Sequence, residues 1–431
     1  MEEHARARRR ARGPRPAIPL AHAISRMGGR DPGEEHRVSS PLELFFDLTF
    51  AIAFGVAANS FAQSLADGHV AAGVLSFAFA MFAVIWAWIN FSWFASAYDT
   101  DDWVFRLVTM LQMLGVLVLA MGLEPMFESI QQGAHVDNRV MVLGYVVMRV
   151  ALVFQWLRAA RQDPGRRATC LKYALYLAAV QLGWIAVIVA NTGVAVMLAM
   201  ALPLFLIEMS IPRIAERKAR TPWHARHIAE RYSLLAIIAL GECLVGTVTA
   251  LRAVVAGNGW SLDTALVGLA GTALAFSMWW LYFIIPAGTA LHARRERSFV
   301  FGYAHMPLFA SITATGAGLR LYAYFLEGKS ALGEGMVMAA VAIPVVLFSL
   351  SLLFLHAYMV APDRLHLWLA AALVAACTAA VLCAAARWPM TLCLAMVLAA
   401  PVATVIVDER IGHLRRAAAL ARLTGSREPE G

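Results

Sequence analysis

Four acids set in apolar surroundings are the residues of this chain best placed to do chemistry. Glu43 and Asp47 stand at i and i+4 near the start of the run 39–63, SSPLELFFDLTFAIAFGVAANSFAQ, so a helix carries both on one face. Behind them Ala51, Gly55, Ala58 and Ala62 continue a stripe of small residues. Glu230 opens a comparable run at 230–247, ERYSLLAIIALGECLVGT. Glu242 follows it about 18 Å further along the helix, near the middle of a membrane. An ionised carboxylate at that depth costs at least a few kcal/mol, so it must be protonated, paired or facing water. Two roles meet that requirement: a structural hydrogen bond between helices, or the handling of a proton or cation along a central path.

Groups able to answer these acids are few. Arg149 is the one basic residue well inside an apolar run, and its expected partner is Asp47, Glu43 or Glu242. His305, two residues before Pro307, has a side chain that titrates near neutrality, although a lone histidine on an apolar face is commonly a satisfied core residue. After it, Ser311, Thr313, Thr315, Gly316 and Gly318 suit a helix that unwinds or lines a polar path. Glu124 and Glu208, at the ends of their runs, read as interfacial. His224, His227 and Glu230 share a helical face, but no fourth ligand is evident, so no metal site is expected. The chain carries no Walker loop, dinucleotide fingerprint, HExxH or GxSxG, so neither a cofactor nor enzymatic activity is expected.

What must position these residues is a set of membrane helices. The chain has 431 residues, 60% of them hydrophobic, with mean hydropathy +0.65. Its apolar residues fall in runs of about 17–26, the length that crosses a hydrocarbon core. Twelve spans are expected, near 43–65, 72–94, 104–123, 140–158, 171–190, 192–210, 229–251, 264–288, 299–320, 335–358, 365–386 and 390–407. With the N-terminus inside the cell, this count puts thirty of the 36 Lys and Arg in inside segments, as the positive-inside rule requires. Both termini are then cytoplasmic. The Arg-rich stretch Arg6–Arg12 reads as a tail near anionic lipid headgroups rather than a nucleic-acid patch. The five cysteines form no CxxC pair and read as small buried hydrophobes.

Weak internal similarities share one order along the chain. Glu43 aligns with Glu230, Trp88–Phe91 with Trp280–Phe283, Trp103–Phe105 with Phe299–Phe301, and Pro203 with Pro401. This predicts an all-α polytopic protein of two parallel six-helix repeats. The expected layout is a disordered cytoplasmic tail over 1–38, repeats over 39–212 and 229–407, a basic linker over 213–228, and a C-terminal tail over 408–431. In that alignment Asp47 faces Leu234 and Glu242 faces Gly55, so the halves place their acids differently.

PLELFFDLTFAIAF at 41–54 and HIAERYSLLAIIALGE at 227–242 resemble signature stretches of the bacterial low temperature requirement A (LtrA) family, as do Tyr145–Arg149 and His305–Pro307. The resemblance spans about 38–407 and implies a bacterial multi-pass membrane protein tied by name to growth in the cold. Phe45-Phe46-Asp47 is also similar to the Phe-Ser-Asp motif that opens the repeats of a family of lysosomal and bacterial potassium channels. Phe46 replaces the serine, and Leu234 leaves the second half without the acid. The resulting expectation is a transporter of a small solute or ion in the cytoplasmic membrane, energised by protons, with Glu242 as coupling or ion-binding carboxylate, Glu43 and Asp47 at the cytoplasmic mouth, Arg149 and His305 tuning their charge, and Glu230 along the same path. A cation channel between the repeats and a non-transporting scaffold or sensor are the alternatives.

Overall fold

The computed structural model describes residues 23–34, 37–133 and 135–424. The basic run Arg6–Arg12 and the last residues of the expected C-terminal tail lie outside them. The described chain is helical, with no strands. Its first half comprises α1 (Pro41–Ala66), α2 (Val70–Tyr98), α3 (Trp103–Met121), α4 (Leu123–Gln132), α5 (Arg139–Gln162), α6 (Arg167–Ala190) and α7 (Val194–Ala215). The second comprises α8 (Ala225–Asn258), α9 (Leu262–Ile284), α10 (Ala287–Ala293), α11 (Ser298–Leu326), α12 (Glu334–Met359), α13 (Arg364–Ala385), α14 (Met390–Val407) and α15 (His413–Thr424).

Local chemistry sets many of the helix starts. Ser40 caps α1 through a capping box: its Oγ accepts from Glu43 N at 3.3 Å, and Glu43 Oε2 accepts from Ser40 N at 2.8 Å, with Pro41 at the first helical position. Asp102 caps α3, accepting from Phe105 N, and Asp363 caps α13, accepting from Leu365 N. Asn191, at φ 43°, makes the tight turn between α6 and α7 that the sequence places there.

Every expected span is a helix, with two differences. The third continues past its expected end near 123: it breaks at Gly122 and resumes as α4 through Gln132. A side chain at Gly122 would lie 2.1 Å from Met141 N, so the close approach of α5 requires glycine at that break. Among the described residues, 11 helical segments are long and apolar enough to cross a membrane, and α11 is not one of them. Its 29 residues reach far enough, but it is too polar. The reason is its place. It packs against α1, α2, α8 and α12, so most of its side chains face protein instead of lipid. Pro307 does not break it, and the Ser311–Gly318 stretch is continuous helix whose hydroxyls return to backbone carbonyls one turn back. Gly316 lets α8 approach closely, since a Cβ there would stand 2.5 Å from Glu242 O.

Contacts among the loops define two faces. Ser25 N meets Asp102, His224 N meets Ser96, Arg295 meets Trp223 O, Arg294 meets Tyr358 O, and Arg415 meets Asp363. Both described ends of the chain therefore lie on one face, which also carries the arginine-rich loops. On the other, Ala331 N bonds Ala66 O and Val136 N bonds Thr192 O. The described part of the 1–38 tail packs on the basic face: Met27 is buried, and the Arg37 guanidinium donates to Ser96 O and Ala95 O. Where a C-terminal tail was expected, α15 docks through Arg415–Asp363 and Arg416–Asp408.

Candidate functional site

Among the described residues, three buried ion clusters lie between the long helices, apart from the Arg158–Asp102 pair near the helix ends, and they differ in charge balance. The first joins the two halves. The capping box fixes the start of α1 and holds Glu43 there, with Asp47 one turn on. Opposite, His224 caps α8 and sets His227 and Arg231 on the face turned to α1. Arg231 Nη2 donates to Asp47 Oδ1 at 2.5 Å, while its Nη1 lies 3.0 Å from Glu43 Oε1 at an angle poor for a hydrogen bond. His227 Nε2 stands 3.2 Å from Glu43 Oε1. Trp88 Nε1 donates to Asp47 Oδ1 at 2.6 Å, and Ser92 Oγ lies 3.3 Å from Arg231 Nη2. All four charged or titratable side chains are at most 1% exposed. Asp47 Oδ2 and His227 Nδ1 have no hydrogen-bond partner among the described residues. In direct contact, two carboxylates thus face one guanidinium and one imidazole, with the buried Arg37 guanidinium acting on Glu43 from further off.

The second cluster lies within the first half. Arg149 pairs with Glu208, Nη2 to Oε2 at 3.0 Å, and not with Asp47, Glu43 or Glu242 as the sequence suggests. Glu208 also accepts from Tyr145 OH, from Trp86 Nε1 at 2.6 Å and from Trp184 Nε1 at 2.9 Å. Arg149 donates to Tyr145 OH at 2.5 Å and lies over its ring. One cation meets one anion that is saturated with donors. Glu208, expected at the interface, is wholly buried.

The third cluster is Glu242 with Arg320, Oε2 to Nη2 at 2.6 Å, between α8 and α11. Gly55 of α1 backs it, and a Cβ there would lie 3.2 Å from Glu242 Oε1. Glu242 is therefore neutralised in a helix interface. The two remaining predicted residues stand apart. Glu230 Oε1 accepts from Ser39 N at 3.2 Å, tying the approach to α1 onto α8. His305 is buried among aromatic rings, with Nε2 3.2 Å from Tyr282 OH and Nδ1 2.7 Å from Phe301 O, so it is a satisfied core residue away from the acids.

Sequence reading places Glu43 and Asp47 together and misses their counter-ion. Arg231 falls just inside the expected seventh span and Arg320 at the end of the ninth, and neither is singled out there. The available signal was periodicity: Arg231 follows His227 by one turn and so shares its face. The acidic loop Asp99–Asp102 pairs within its own half. Asp102 pairs with Arg158 and Asp101 with Arg106. Burial alone would raise Asp102, but hydrogen bonds from Arg158, Phe105 N and Ser25 N outweigh it and hold the carboxyl at about 2. Burial pushes Asp99 the other way, to about 6, with the Glu43 charge adding to the rise and Arg37 opposing it.

A bundle of long apolar helices, with its charges sealed between them in arginine–carboxylate clusters, defines a multi-pass membrane protein. Residues 38–401 match the family model described as bacterial low temperature requirement A protein (LtrA), and the chain belongs to that family. It is also similar to the uncharacterized protein RA0937 of Rhizobium meliloti (strain 1021), 26% identical over 303 residues, covering 66% of this chain and 69% of the relative.

Proposed function

We propose that the protein is a proton-coupled carrier of a small solute or ion in the bacterial cytoplasmic membrane, with the α1–α8 cluster as its proton site. The observation that carries this reading is the surplus carboxylate of Glu43 and Asp47 over Arg231 in a dry interface. A buried net charge is costly, so the cluster holds one proton, on His227 or on a carboxylate, when it is closed. Asp47 Oδ2, without a partner, is the oxygen open to that proton. Arg231 bridges the halves, so gain or loss of the proton changes the attraction between them. That is the differential interaction an alternating carrier requires. Glu242, the first choice on sequence grounds, is already neutralised by Arg320 and serves here as a helix–helix contact.

The order of packing supports reading the halves as parallel repeats. In each, the third helix packs on the fourth, the fourth on the fifth and the fifth on the sixth, with α3 and α4 taken as one span. The basic face is then cytoplasmic. The family name links such proteins to low temperature, and a strain lacking this protein should grow more slowly in the cold.

The test is proton movement in proteoliposomes loaded with a pH-sensitive dye, with a pH gradient imposed and candidate solutes supplied. Wild type should acidify the lumen in step with solute, and Asp47→Asn should abolish this while eluting as folded protein. Absence of proton movement in wild type with every solute tried would transfer the assignment to a scaffold.

A further inference from the structure

A second site lies at the basic-face end of the bundle, between the halves. Aromatic side chains, among them Trp86, Trp93, Trp156, Tyr173, Trp223 and Tyr303, line a narrow cleft with an open mouth. They come from α2, α5, α6, α11 and the loop before α8. Their faces are set in pairs. Trp156 and Tyr173 stack at 4.2 Å and 3°, Trp93 meets Trp223 edge-on at 4.9 Å, and Trp86 meets Tyr303 edge-on at 5.5 Å. The charged group on the lining is Glu216, whose Oε1 accepts from Tyr173 OH at 3.1 Å and from Thr221 Oγ1 at 2.5 Å. Two hydrogen bonds aim the carboxylate, and no Lys or Arg lines the cleft.

Several indole and phenol rings around one carboxylate make the environment that attracts a poorly hydrated cation. The chain already shows the attraction at the rim, where the Arg295 guanidinium lies 4.1 Å from the Trp223 ring centroid. Arg220 acts electrostatically on Glu216 from an exposed position, where water screens it. An inorganic cation would have to shed its water against faces that offer one carboxylate. A methylated ammonium sheds little and fills the space with methyl groups. We infer that this cleft binds an organic ammonium ion, its charge opposite Glu216 and its alkyl groups against Trp156, Tyr173 and Trp223. The ion comes either as a free solute or as the ammonium headgroup of a lipid.

The cleft also touches one of the clusters described above. Trp86 lines it and donates to Glu208, and Trp93 lines it and donates to Tyr232 OH, beside Arg231. A ligand seated here leans on the Trp86 indole that helps hold the Arg149–Glu208 cluster. That the bound ion is also the transported solute rests on the carrier reading; that it binds does not.

The test is calorimetric titration of the full chain in detergent with choline and with its neutral carbon isostere, 3,3-dimethylbutan-1-ol. Choline should bind and the alcohol should bind at least about tenfold more weakly. Glu216→Gln should weaken choline binding about tenfold, and Trp156→Leu at least about fivefold. If Trp156→Leu fails to fold, Tyr173→Phe, which loses the bond to Glu216 and keeps the stack, should give a smaller loss of choline binding. Nanodiscs separate the sources. If a headgroup is the natural occupant, phosphatidylcholine discs suppress choline binding relative to phosphatidylglycerol discs; if a free solute is, both discs bind it alike. No choline binding, equal binding of the alcohol, or binding unchanged in Glu216→Gln would overturn the inference. Choline binding without transport in proteoliposomes would leave this site standing and remove the carrier reading.

Discussion

The Arg149–Glu208 and Arg231–Glu43–Asp47 clusters use the same parts to different ends. Each buries a guanidinium against carboxylate in the membrane region, and each adds tryptophan N–H donors. In the first, one cation meets one anion, and Tyr145, Trp86 and Trp184 complete the acceptor capacity of Glu208. In the second, two anions share one cation, Asp47 Oδ2 stays unbonded, and an imidazole capable of charging lies beside Glu43. A closed, balanced pair fixes helices in place. A surplus charge between two halves is an unfinished arrangement that a proton completes. The two clusters thus differ in charge count and donor saturation rather than in burial.

Breaking the balanced pair should have the largest effect on folding. Glu208→Gln leaves Arg149 buried without its anion and should cost about 3–5 kcal/mol, seen as a large drop in thermal midpoint in detergent. Adding Arg149→Met to that variant should restore much of it; if the double variant is no more stable, the pair is not what holds these helices. Glu242→Gln comes next. It strands Arg320 in the same way, but that pair is slightly exposed, 8% and 10%, so about 2–3 kcal/mol is expected. Loss of proton movement in Glu242→Gln without loss of stability would return the coupling role to Glu242.

The contrast recurs outside the membrane helices, within one loop, where it fixes the sign of a pH dependence. Asp102, held at about 2 below its ordinary value, stabilises the fold above pH ~4 and loses that contribution as pH falls toward 2. Asp99, raised by burial to about 6, is neutral in both folded and unfolded chains below pH ~4 and costs stability as pH rises from there through 6. Asp99→Asn should therefore stabilise the protein by about 2 kcal/mol at pH 7.5 and have little effect at pH 4. Asp101 N can still donate to the asparagine oxygen as it does to Asp99 Oδ1. Equal stability of variant and wild type at both pH values would mean that Asp99 finds a full counter-charge.

The helices were legible because a membrane span announces itself by length and apolarity: each of the twelve runs folds as a helix, and all but α11 are long and apolar enough to cross a membrane. The face each helix turns inward was not. In a bilayer both lipid and core are apolar, so the period that marks a soluble helix fades, and α11 betrays its central place only by being too polar. Pairings such as Arg149–Glu208 and Arg320–Glu242 depend on how helices distant in sequence rotate against one another, which no local spacing encodes. Glu43 and Asp47 were legible because they are local, one turn apart behind a capping box. Arg231 was hidden by its position, since an arginine near a helix start reads equally well as cytoplasmic charge.

The smallest expected change in stability belongs to Asp47→Asn, and it is the one that separates the two clusters. The asparagine oxygen can keep the bonds from Trp88 and Arg231, and its amide occupies the place of Oδ2, where no donor stands. The substitution puts a neutral amide where the closed cluster holds its proton and leaves Arg231 paired with Glu43. Folding free energy should therefore move by less than about 1 kcal/mol, because a protonated carboxyl is traded for an amide of similar shape and the same charge. Glu43→Gln is a less clean probe, since Glu43 also faces His227 and accepts from Ser40 N in the capping box of α1. Thermal unfolding of Asp47→Asn beside Glu208→Gln reads the comparison directly. A small shift in the first and a large one in the second mean that Asp47 is held for its proton rather than for the fold. Equal losses would mean that both clusters are structural, and the search for the coupling group would move away from α1 and α8.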